Sequence, residues 1–186
     1  MDTAGIATHP EKYARVERER RFLVSGEPIH AAVQVRHIVD RYFSGTRLRL
    51  RLIEEMPARP ASSVYKLTQK IPGVSPEAGN GLITNIYLSG AEYKLFSGID
   101  AAVLIKTRHS IPPMGVDVFE GPLAGLIIAE AEFESEEEMR AFPAPAYAFA
   151  EVTHDQRFTG GRLVSATRLQ ITSWLAEYGI ELLNDA

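Results

Sequence analysis

Val16-Glu17-Arg18-Glu19-Arg20-Arg21-Phe22-Leu23-Val24 lies near the start of a 186-residue chain and reads with the two-residue period of a strand. Glu17, Glu19 and Arg21 then share one face, and Arg18, Arg20 and Phe22 the other. Taken alone, such a stretch is a solvated outer strand. It gains weight because charge rows of a single sign recur downstream. In Thr46-Arg47-Leu48-Arg49-Leu50-Arg51-Leu52 three arginines face one side and three leucines the other. Farther on, Lys66, Thr68 and Lys70 share a face, as do Lys106 and Arg108 opposite Ile105, Thr107 and His109. Glu130, Glu132 and Glu134 form an acidic row opposite Ile127, Ala129, Ala131 and Phe133.

Between these rows the chain reads as strands and turns. Residues 33–43 predict an extended segment closed by Ser44-Gly45, and 54–62 a loop carrying Pro57 and Pro60. Residues 75–80 are turn-rich, and 82–88 and 116–120 are strands. Short helices are expected at 92–96, capped by Ser89, and from Ser135 to about 141, where Ser135 and Glu138 form a capping-box pattern. Residues 142–145 form a proline-rich loop, and 162–178 predict a last long helix ended by Gly179. The reading is one mainly β (α+β) domain over 15–186, after a loose tail at 1–14.

Composition narrows the function. The chain has 45% hydrophobic and 24% charged residues, and no apolar run approaches the ~18 residues a membrane helix needs. No membrane partner is expected. Without cysteine there is no disulfide framework, thiolate metal site or cysteine nucleophile, and without a basic start and apolar stretch no secretory signal; a cytoplasmic location is the expectation. A net charge of −4 and a pI near 5.8 disfavour broad binding to nucleic acid. The five histidines are scattered without metal-ligand spacing.

A solvated sheet face interleaves opposite charges; these rows segregate them. Clustered arginine and lysine suit phosphate oxygens, and clustered carboxylates suit a hard divalent cation such as Mg²⁺ or Mn²⁺. A metal–polyphosphate complex satisfies both. The charged faces either meet water on an open sheet or line the inside of a closed barrel above an apolar layer that includes Leu48, Leu50, Ile105, Ile127 and Phe133; pattern alone leaves both open.

The ordered set Glu17-x-Glu19-x-Arg21-Phe22-Leu23-Val24, Arg47/Arg49/Arg51, Lys66 and Lys70, Lys106-x-Arg108, 116–121, Ala129-Glu130-x-Glu132 and Glu151-Val152-Thr153-x-Asp155-x-Arg157-Phe158 resembles the CYTH family of triphosphate tunnel metalloenzymes, from about residue 16 to 164. The resemblance implies an eight-stranded antiparallel β-barrel with peripheral helices and a C-terminal helix. Its tunnel would hold a triphosphate-containing small molecule. Family members hydrolyse tripolyphosphate, thiamine triphosphate or nucleoside triphosphates, and some are adenylate cyclases. Carried over by position, Glu17, Glu19, Glu130 and Glu132 are candidate ligands for Mg²⁺ or Mn²⁺. Arg47, Arg49, Arg51, Lys66, Lys70, Lys106, Arg108 and Arg157 are candidate phosphate-binding cations, and Arg21 and Asp117 candidate catalytic groups. A homodimer is left open.

Two departures bear on catalysis. The first motif usually ends in lysine, and Arg21 cannot exchange a proton near neutrality. Residues 82–88, Leu-Ile-Thr-Asn-Ile-Tyr-Leu, stand where many members carry an arginine and alternating glutamates. The expectation is metal-dependent triphosphate hydrolysis, with triphosphate or polyphosphate binding with little catalysis, or adenylate cyclase activity, as the alternatives.

Overall fold

A computed structural model of the chain describes residues 12–26, 31–57, 63–72 and 81–182. The turn-rich 75–80, most of the expected tail at 1–14 and residues 58–62 of the expected loop lie outside these.

The charge rows are strands of one antiparallel sheet. Its strands are β1 (Arg15–Glu17), β2 (Glu19–Val24), β3 (Gln34–Tyr42), β4 (Leu48–Met56), β5 (Val64–Ile71), β6 (Gly81–Leu88), β7 (Ala102–Ile111), β8 (Met114–Phe119), β9 (Ile127–Glu132) and β10 (Ala148–Glu151). They lie in the order β1-β6-β5-β4-β3-β7-β8-β9-β2-β10. The eight-stranded closed barrel implied by the resemblance is corrected: ten strands form one sheet, and its hydrogen-bond ladder does not close. The opening stretch explains why. It is two strands rather than one: β1 pairs with β6, β2 pairs with β9 and β10, and only Arg18 separates them. Strands near opposite ends of the ladder are therefore joined by a single residue. The sheet must curl, carrying its inner face around a central space.

Register puts every charge row on that inner face. Arg49 and Arg51 stand beside Thr68 and Lys66 of β5 and beside Tyr42 and Asp40 of β3. Lys106 and Arg108 oppose Phe119 and Asp117, and Glu130 and Glu132 oppose Arg21 and Glu19. Because strand side chains alternate, one correct register aims each whole row inward.

Apolar burial falls in two places. On the inner face, Leu23, Leu104, Phe119 and Ile128 are covered by Phe158, Leu163, Ile171 and Leu175 of the C-terminal region. On the outer face of β2, β8 and β9, Phe22, Val24, Met114, Val116 and Ile127 pack with Phe133, Phe142 and Tyr147. The single apolar layer expected from the sequence is thus divided, with Ile127 and Phe133 in the outer cluster.

Helices α1 (Gly90–Ser97) and α2 (Glu136–Ala141) begin at capping boxes built by Ser89 with Glu92 and by Ser135 with Glu138. The long last helix is corrected to two, α3 (Gly160–Leu163) and α4 (Arg168–Ala176). Thr167 and Gln170 form a third capping box that restarts the helix, a pattern overlooked beneath the apolar stripe. Past α4, Gly179 at φ 74° lets the chain turn back while Ile180 N–H donates to the Leu175 carbonyl at 3.0 Å. Two further extents differ from expectation: β4 continues through Glu54 and Glu55, and β10 forms where no strand was expected. β4 is held there by pairing with β3 up to Val35 opposite Met56, a partner that lies far off in sequence.

Candidate functional site: a cation-lined cavity

The curled inner face encloses a cavity of about 1170 Å³. Among the described residues, ten arginines or lysines line it against five glutamates. Counting the buried Asp40 and Asp117 as well, the space keeps a surplus of three positive charges, in a chain whose net charge is −4.

Its cations differ in how they are held. Asp40, 1% exposed, receives Arg51 through a two-pronged pair at 2.6 and 2.7 Å and stands 3.6 Å from the Arg49 Nε. Burial opposes the charge on Asp40, but these guanidiniums outweigh it and hold its carboxyl below the usual range. Asp117, 0% exposed, does the same for β7. Arg108 donates to both its oxygens at 2.6 Å, and Lys106 donates to Oδ2. Arg108 also reaches Glu130 at 2.5 Å. Its guanidinium can lie flat there because residue 115 is glycine: a Cβ would come within 3.2 Å of the Arg108 Cδ and Nε. Asp117, a candidate acid for orienting a base or lysine, is enclosed beneath Lys106 and Arg108 and orients both.

Lys66 and Arg47 are different. Both line the cavity, and among the described residues neither has a carboxylate at ion-pair distance. Burial, then Arg51 and Arg49 nearby, pushes the Lys66 ammonium down to about 8. Such a depressed lysine lacks an anion.

The acidic wall lies across β1, β2 and β9. Glu17 pairs with Lys70 at 2.6 Å, and Glu19 and Glu132 are register partners. Burial, with Glu130 and Glu17 adding to it, raises the Glu19 carboxyl to about 7. On Glu130 burial acts the same way, but Lys106 and Arg108 outweigh it and keep it ionised below the usual range. Among the described residues no three histidine, aspartate or glutamate side chains converge as a formed metal centre. The chemistry of this donor set, hard carboxylate oxygens crowded enough to raise the Glu19 carboxyl to about 7, fits a hard divalent cation.

Two sequence candidates are held by protein groups. Arg157 does not line the cavity. It pairs with Asp155 at 2.7 Å and Glu177 at 2.8 Å and lies over the rings of Phe158 and Trp174. Arg21 does reach the wall, but its terminal nitrogens donate to the carbonyls of Phe158 and Thr153 at 2.9 Å each. Its Nε, 3.5 Å from Glu19, has no hydrogen-bond partner. The remaining candidates, Glu17, Glu19, Arg47, Arg49, Arg51, Lys66, Lys70, Lys106, Arg108, Glu130 and Glu132, are brought together on one wall or another of this space.

Sequence reading missed Asp40, because a lone acid between Val39 and Arg41 carries no pattern. It also missed the hydroxyl–amide pair in which Thr68 Oγ1 donates to Asn85 Oδ1 at 2.8 Å, and the part of the C-terminal region that faces the cavity. β6, the strand without acids, does face inward, and offers Ile83, Asn85 and Tyr87.

No protein-family model and no curated protein matches the chain. Among solved structures, one described as the inorganic triphosphatase NE1496 is 25% identical at a TM-score of 0.51, covering 81% of this chain and 95% of that one. A second structure of NE1496, described as a hypothetical protein, is 26% identical at a TM-score of 0.52, covering 81% of this chain and 99% of that one. The PH1819 protein of Pyrococcus horikoshii OT3 is 19% identical at a TM-score of 0.45, covering 67% of this chain and 82% of that one.

Proposed function

We propose, from the premise that this chain has the CYTH-type fold of the triphosphate tunnel superfamily, that it hydrolyses a triphosphate inside the curled sheet. The observation that carries this reading is the cavity's uncompensated positive charge, concentrated at Lys66 and Arg47. The described similarity of NE1496 to this chain supports the same reaction class.

Phosphoryl transfer asks a protein chiefly for positioning and charge neutralisation. Arg49, Arg51 and Lys66 project from adjacent strands on one side, and Lys106 and Arg108 from β7 on the other. They would grip successive phosphates and neutralise charge developing on the leaving oxygen. Asp40 and Asp117 keep the guanidinium forks aimed before substrate arrives. Glu17, Glu19, Glu130 and Glu132 would hold Mg²⁺ or Mn²⁺, which supplies Lewis-acid polarisation of phosphate oxygens and acidifies a water. The inward face of β6 favours a second reading, a triphosphate binder with little turnover, because Ile83, Asn85 and Tyr87 contribute no carboxylate.

Phosphate release from tripolyphosphate, ATP and thiamine triphosphate, each with Mg²⁺ and with Mn²⁺, separates the two. Hydrolysis predicts turnover that falls about 100-fold or more in Glu19→Ala/Glu130→Ala. Turnover no higher than in that variant, with thermal stabilisation by tripolyphosphate retained, would leave only the binder.

A further inference from the structure

One end of the cavity is made by the chain after β10 rather than by a strand. His154, Gln156, Thr159, Gly160 and Val164 face the space, while Phe158 and Leu163, each 1% exposed, pack onto the inner sheet face. The segment is thus both a plug for the sheet and the end wall of the cavity. How deep it sits fixes where the cavity stops.

Two contacts set that depth from different walls. On β2, the buried Arg21 donates to the carbonyls of Thr153 and Phe158, its backbone N–H donates to Thr153 Oγ1 at 3.1 Å, and Val152 N–H donates to its carbonyl at 2.8 Å. On β3, Gly160 sits directly on the Tyr42 ring: a Cβ there would lie 2.1 Å from the hydroxyl oxygen and 3.2 Å from Cζ. The ring has little room to withdraw. It packs against the core and is flanked by its register partner Arg49 on β4. Behind the wall, Asp155 accepts from the Arg157 N–H and guanidinium and from the Tyr178 hydroxyl at 2.9 Å, tying the segment to the end of α4. The wall is braced front and back.

We propose that Arg21 and the Gly160–Tyr42 contact are specificity-determining: they seat the end wall, and so limit the length of phosphate chain that the cavity accepts. This rests on the triphosphate reading above. Arg21 acts here as a positioning residue, which accounts for a guanidinium spending both terminal nitrogens on backbone carbonyls inside a cavity short of anion contacts. A methyl at position 160 lifts the wall off Tyr42. The space then lengthens at the end walled by the segment after β10.

The test compares the affinities of pyrophosphate, tripolyphosphate, tetrapolyphosphate and a longer polyphosphate for the wild type, Gly160→Ala, Tyr42→Phe and the double variant, with folding checked by circular dichroism. The wild type should prefer tripolyphosphate over the longer chains. Gly160→Ala should shrink that preference at least about fivefold, and adding Tyr42→Phe should restore part of it by removing the nearest atom. Arg21→Lys, whose ammonium cannot span both carbonyls, should shift the preference in the same direction and serves where Gly160→Ala does not fold. Equal weakening for every length, or an unchanged preference in folded variants, would overturn the proposal while leaving the triphosphate reading intact. A wild type that binds none of these anions would overturn both.

Discussion

Asp117 shows at residue scale how the cavity is prepared. It sits beneath Lys106 and Arg108 with no exposure, so Asp117→Asn leaves the buried Lys106 and the half-buried Arg108 with Glu130 as the acid still bonded to Arg108. Removing one partner of a buried charge set costs about 3–5 kcal/mol, and Glu130 puts the expected loss near the low end. Urea unfolding measures it, and saturating tripolyphosphate should recover part of it by supplying the missing negative charge. Lys66 makes the complementary case. With its ammonium at about 8, it is half charged near that pH in the free protein, whereas a bound phosphate favours the charged form. Tripolyphosphate affinity should therefore fall as pH rises above 8, by up to about tenfold per pH unit until the ordinary lysine range. Lys66→Arg should flatten the profile. For stability without ligand the sign reverses. A depressed folded value means that Lys66 favours the fold above the unfolded lysine range, and that this contribution is lost as pH falls through about 8.

Single elements carried most of what the sequence could reveal. The rows of β4, β7 and β9 were legible because alternation is a local property, as were the Ser135–Glu138 capping box, whose partners are three residues apart, and Ser89 as a cap. Illegible were features made by distant partners. The break at Arg18 depends on β6 and β9 claiming different halves of one stretch, and the role of Arg21 depends on carbonyls more than 130 residues away. Arg157 lies beside Phe158 in its motif, yet Asp155, two residues before it, and Glu177, twenty residues on, hold its guanidinium, and it does not line the cavity. Arg157→Ala should accordingly lower the melting temperature by loosening α4 yet leave tripolyphosphate affinity within about twofold, because no substrate contact is removed. At α1, Ser89→Ala should cost about 1 kcal/mol by removing the cap, with ligand affinity unchanged.

For the whole molecule the decisive quantity is the division of charge. A chain carrying a net −4 folds so that ten cations and five glutamates surround one space, and low-dielectric walls focus that field on an entering anion. The curl forced by the Arg18 junction does this by bringing β1, β2 and β9 around to face the cation-bearing strands. Calorimetric titration with tripolyphosphate in the presence of Mn²⁺ tests this most directly, using wild type, Arg49→Met and Lys66→Met. The account predicts one saturable site in the wild type and an affinity at least about tenfold weaker in each variant, the scale of one lost charge-assisted contact. Absence of binding, or binding that both variants retain at full strength, would contradict it.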